Sequence, residues 1–82
     1  MQLLHKSKMD KSVDRQKALS EKLKLARENA GMTQAEAARL LKKPQWFVSR
    51  CESGQRKIDV TELMAFAEIY HIDLGHFLGE LR

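Results

Sequence analysis

Between residues 45 and 53 the sequence Gln-Trp-Phe-Val-Ser-Arg-Cys-Glu-Ser divides into two sets when wound at helical spacing. Phe47, Val48 and Cys51 fall on one face, and Gln45, Trp46, Ser49, Arg50 and Ser53 fall on the other. The second set has the chemistry of nucleobase recognition. Gln45 carries an amide that can bond adenine bidentately, Arg50 a guanidinium that can do the same to guanine, and the serine hydroxyls suit either base. Trp46 adds a broad apolar surface that fits thymine methyls or sugars. Other chemistries lack their residues. There is no Gly-rich phosphate loop and no nucleophile with an adjacent base, and an 82-residue helical bundle offers little concave pocket, so neither an enzyme nor a cofactor is expected. His71 and His76, with Glu68 and Asp73 nearby, straddle a helix break at a spacing unsuited to a metal. Cys51 reads as a small buried apolar residue with no basic partner directed at it.

The elements that must position this face follow from periodicity and end signals. From about Asp14 to Ala30, Leu19, Leu23, Ala26 and Ala30 recur on one stripe of a first helix. Gly31 suits its left-handed end, and Met32 folds back onto it. Residues 1–14 show no sustained period and read as a flexible basic tail. Thr33-Gln34-Ala35-Glu36 has the form of a capping box, opening a second helix over about 34–42 with Ala37, Ala38 and Leu41 inward. Pro44 disfavours helix at Lys43 and suits the first turn of a third helix, about 44–53, which Gly54 closes. Gln55 to Ile58 form a basic loop. Asp59 and Glu62 open a fourth helix with Val60, Leu63, Met64, Ala67 and Tyr70 inward, and Asp73 caps a last helix over about 73–81. The expected fold is all-α: a compact bundle of about five short helices occupying residues 15–82, with a helix-turn-helix at its centre.

Composition sets the frame. One Cys among 82 residues cannot form an internal disulfide, which points to a reducing compartment, the cytoplasm. No apolar run approaches the ~18 residues of a membrane span, and the opening apolar stretch is too short for a signal peptide. The net charge of +4 is unevenly spread: residues 1–32 and 33–58 each carry a net +4, and residues 59–82 carry −4. A basic surface over two thirds of the chain suits a polyanion. The acidic final third suits a different role.

Residues 23–54, LKLARENAGMTQAEAARLLKKPQWFVSRCESG, resemble the phage-repressor, Cro- and XRE-like helix-turn-helix family, and the resemblance extends over about residues 15–79. Its most specific part is Gly31, Thr33-Gln34, Ala38, Val48, Arg50, Glu52 and Gly54 at family spacing. The resemblance implies a small side chain at Ala38 where two helices cross, and a buried aliphatic one at Val48. It implies that Gln34 and Gln45 meet near a DNA phosphate and a base, that Gln45, Trp46, Ser49 and Arg50 read base edges, and that Ser53, Gln55, Arg56 and Lys57 grip the DNA backbone. Arg27 and Glu52 match a family ion pair, and the last helix, with Leu74, Phe77, Leu78 and Leu81, matches the family's dimer contact. The family's usual glycine is Lys42 here, and its small apolar turn residue is Lys43. A left-handed residue with a Cβ costs roughly 1–2 kcal/mol, so a reshaped turn is expected, with both lysines near phosphates.

The sequence therefore predicts a dimeric transcriptional regulator, most simply a repressor, that binds a pseudo-palindromic double-stranded operator and reads the major groove with its third helix. The rival reading is a protein-interaction module, such as an antitoxin or transcription co-factor, supported by the acidic final third and the apolar last helix. A membrane-binding role is not expected, because the apolar stripes are needed for the core.

Overall fold

The structure, a computed structural model, describes the backbone of residues 2–79 and the side chains of residues 15–79. Among the described residues there are five helices and no strand: α1 (Gln2–Asn29), α2 (Gln34–Leu41), α3 (Gln45–Ser53), α4 (Val60–Tyr70) and α5 (Leu74–Leu78).

The helix ends follow local chemistry. Met32 N–H donates to the Arg27 carbonyl at 3.2 Å and Gly31 N–H to that of Glu28 at 3.0 Å, a Schellman end with Gly31 at φ 71°. Thr33 then opens α2 with a complete capping box. Its hydroxyl accepts from Glu36 N–H at 3.1 Å, and the Glu36 carboxylate accepts from Thr33 N–H at 2.8 Å. That second bond holds the Glu36 carboxyl below its usual range. Asp59 and Glu62 repeat the device at α4, with bonds of 2.8 and 3.2 Å.

α1 begins at Gln2, well before Asp14. The stretch read as an irregular tail contains no Gly or Pro, and once a packed turn has nucleated a helix each added residue needs only one more bond. Ala30, expected inward, is exposed, although its N–H still donates to the Ala26 carbonyl at 3.0 Å. Pro44 is the extended residue before α3 (φ −70°, ψ 157°) and not a member of its first turn.

The turn between α2 and α3 is not reshaped. Lys42 takes the left-handed conformation (φ 59°, ψ 43°) that a glycine would take more cheaply. Two backbone bonds hold it there, Lys43 N–H to Ala38 at 3.0 Å and Lys42 N–H to Arg39 at 3.1 Å. They satisfy carbonyls that the end of α2 would otherwise leave open, which offsets the cost of the Cβ. Pro44 restricts only Lys43, so it does not oppose a left-handed Lys42. His71 ends α4 in the same way at φ 56°.

The core is built from Leu19, Leu23 and Ala26 of α1, Ala37 and Ala38 of α2, Phe47, Val48 and Cys51 of α3, Leu63, Phe66, Ala67 and Tyr70 of α4, and Phe77 of α5. Phe47 and Phe66 lie nearly parallel with centroids 6.1 Å apart, and Tyr70 continues the stack at 6.0 Å. α4 buries Leu63, Ala67 and Tyr70 as expected and departs from its expected facing at three positions. Phe66 is fully buried, whereas Val60 and Met64 are 60% and 54% exposed. Both stripes have helical spacing and α4 is apolar nearly all round, so period could not choose between them; burying the largest ring releases the most water-exposed apolar surface. Asp73 precedes α5 without a side-chain cap bond, and only its carbonyl accepts, from His76 N–H at 3.0 Å. α5 closes at Leu78, short of the expected end, and Leu81 lies outside the described residues.

Candidate nucleic-acid interface

α3 is a buried helix on one side only. Phe47 is 4% exposed and Val48 and Cys51 are fully buried, packed against α1, α2 and α4. Burial pushes the Cys51 thiol up to about 11, against the opposing effect of Arg56 beside it, so this sulfur is an inert core atom near neutral pH. Gln45, Trp46, Ser49, Arg50 and Ser53 are all exposed. Ala37 and Ala38, both buried on α2, let α2 cross closely behind α3 and hold it outward.

A bidentate ion pair fixes the orientation of α3. Arg27 Nε donates to Glu52 Oε2 at 2.7 Å and Arg27 Nη2 to Glu52 Oε1 at 3.1 Å, while Arg27 Nη1 donates to the Met32 carbonyl at 2.8 Å. The two side chains are 11% and 3% exposed. The carboxylate raises the guanidinium pKa further, so Arg27 keeps its charge at any physiological pH. Gln34 Nε2 joins it, donating to Glu52 Oε1 at 3.1 Å. Gln34, at the start of α2, is therefore tied to α3 through Glu52 and has one amide hydrogen fewer for a phosphate.

The flanking groups divide. Lys42, Lys43, Ser53, Gln55 and Lys57 are exposed around the ends of α3. Ser53 Oγ donates to the Arg50 carbonyl at 3.2 Å, which closes the last turn and leaves its lone pairs outward. Lys43 Nζ stands 5.2 Å from the Phe47 ring centre. Arg56 does not stand free. Its guanidinium pairs with Glu62 of the α4 capping box and lies 5.0 Å from the Phe47 ring centre, so it pins the loop after α3 to α4. This link was invisible in a sequence that offered Arg56 only as one member of a basic run. Trp46, Arg50, Gln55, Arg56 and Lys57 together line a shallow open hollow beside α3.

Of the residues expected at a dimer contact, Phe77 is fully buried within its own chain and Leu74 and Leu78 are half-buried on α5. Elsewhere Leu25, Leu40, Val60 and Met64 are each more than half exposed. Among the described residues no cluster of three or more His, Cys, Asp or Glu is placed to hold a metal, and no helix is long and apolar enough to cross a membrane.

Residues 23–77 match a protein-family model described as helix-turn-helix. No curated protein matches the chain. Among solved structures, an XRE-family like protein from Pseudomonas syringae pv. tomato str. DC3000 is 41% identical, with 83% of each chain covered and a TM-score of 0.75. A family match over most of the chain, a shared fold at this identity, and a two-helix unit that turns one polar face outward agree with one another, and the chain belongs to the XRE-like helix-turn-helix family of DNA-binding regulators.

Proposed function

We propose that this protein is a sequence-specific transcriptional repressor, acting in the cytoplasm as a homodimer on a pseudo-palindromic operator in double-stranded DNA. The observation that carries the reading is the division of α3: one face is locked into the core by Phe47, Val48 and Cys51, and the other presents Gln45, Trp46, Ser49 and Arg50 to solvent. In the major groove Arg50 supplies paired donors for a guanine edge, Gln45 a donor and an acceptor for an adenine edge, and Ser49 and Trp46 fill the space between. Lys42, Lys43, Ser53, Gln55 and Lys57 contact phosphates on either side and set register, whatever the sequence. Gln34 and Arg56 support this from behind, Gln34 by fixing α2 against α3 and Arg56 by holding the loop that carries Gln55 and Lys57.

Two copies meeting through α5, by Leu74, Leu78 and Leu81 with Phe77 behind them, would place two α3 helices about one DNA turn apart, ~10–10.5 bp between half-site centres. The acidic final third then faces the partner copy and not the DNA.

Trp46 provides the test. Its fluorescence is followed while duplex from upstream of the protein's own gene, or an equal-length scrambled duplex, is added at low and at physiological salt. A specific repressor saturates with the first duplex at far lower concentration under physiological salt. Equal responses that vanish with salt would reduce the interaction to phosphate attraction. The acidic final third and the half-buried Leu74 and Leu78 of α5 favour a second reading, a module that holds another protein. Co-purification of a partner at fixed stoichiometry supports it.

A further inference from the structure

We infer that Trp46 fixes the aim of Arg50, so that the two side chains read a guanine as one unit; the inference rests on the DNA-binding reading of α3. Trp46 and Arg50 are four residues apart on the outward face of α3, one helical turn, and the guanidinium carbon stands 4.9 Å from the indole centre. The indole is itself anchored. It meets Phe47 edge to face at 6.5 Å and 67°, and Phe47 is 4% exposed and stacked on Phe66. A rigid path thus runs from the core to an exposed ring and from that ring to the guanidinium.

Arg27 and Arg56, which flank this face, are each paired with a carboxylate. What faces the Arg50 guanidinium is an aromatic ring, which attracts a cation without using its hydrogen-bond donors. The planar fork therefore keeps its N–H edge free for the O6 and N7 acceptors of guanine while losing rotational freedom before DNA arrives. Trp46 is 52% exposed although the inward face of α3 is already filled, so its place outside is not explained by the core. On this account Trp46 is a positioning residue, and its influence appears at the base that Arg50 reads.

The experiment uses the full chain and an operator duplex obtained by selection. At the position where Arg50→Ala relaxes base preference, guanine is replaced by adenine, and the ratio of affinities for the two duplexes is measured. Arg50→Ala is expected to lower that ratio about tenfold or more. Trp46→Ala is expected to lower the same ratio about threefold, Trp46→Phe to retain most of it, and the double variant to match Arg50→Ala alone. Both side chains are exposed, so circular dichroism and thermal unfolding should match the parent protein. The inference is overturned if Trp46→Ala leaves this ratio intact, if it relaxes a different position, as direct contact with a thymine methyl would, or if the two effects multiply. A parent protein that selects no sequence overturns the DNA-reading function and this inference with it.

Discussion

Arg27 and Glu52 are 25 residues apart in sequence and joined by two hydrogen bonds in space, so each is the condition for burying the other. Glu52→Ala leaves a guanidinium without its partner in a largely dry site, and the expected loss is about 3–5 kcal/mol, read from the urea midpoint. Cys51 gives a pH signature. An unfolded thiol titrates near ~8.5, and the folded one is pushed up to about 11 by burial. A raised acid pKa means stability that is complete below the unfolded value and lost as pH rises through the folded one. Urea midpoints should therefore fall between about pH 9 and pH 11, and less steeply in Cys51→Ala. The Arg27–Glu52 pair carried a family signature, so its partners were legible in the sequence. Arg56 was not, because a loop arginine can face phosphate or a neighbouring carboxylate, and only the packing of Phe47 against α4 brings Glu62 within reach.

At the scale of the element, the capped starts of α2 and α4 and the two faces of α3 were legible, and the start of α1 and part of the facing of α4 were not. Capping boxes at Thr33 and Asp59 are local chemistry, written within four residues and found as written. The facing of α4 depends on which ring the other helices leave room for, and no single-helix period contains that information. The α2–α3 turn is the sharpest case. Its left-handed residue is Lys42, where steric cost argued for another shape, and the bonds from Lys42 and Lys43 back to α2 offset that cost. Lys42→Gly should therefore raise stability by about 1 kcal/mol in urea unfolding. If Lys42 also approaches a phosphate, the same variant should bind every duplex more weakly, with a shallower dependence of log K on log salt by about one charge. Thr33→Ala should cost ~1 kcal/mol by opening the α2 cap.

Along the whole chain, net charge divides into a basic first two thirds and an acidic final third, the division behind the proposed dimer contact on α5. Leu74 begins α5 half-buried, and a carboxylate suits the first turn of a helix. Leu74 also packs against the core, so Leu74→Glu should lower the urea midpoint and, in urea-free buffer where the helical signal persists, shift sedimentation from dimer to monomer and weaken a two-half-site operator far more than a single half-site. The central claim is that the outward face of α3 reads base sequence. Selection of duplexes from a random library at physiological salt, with the parent protein and with Arg50→Ala side by side, tests it most directly. A two-fold symmetric motif is expected for the parent, and the same motif with one guanine relaxed in each half for the variant. No enrichment by the parent, or an identical motif from both proteins, would contradict it.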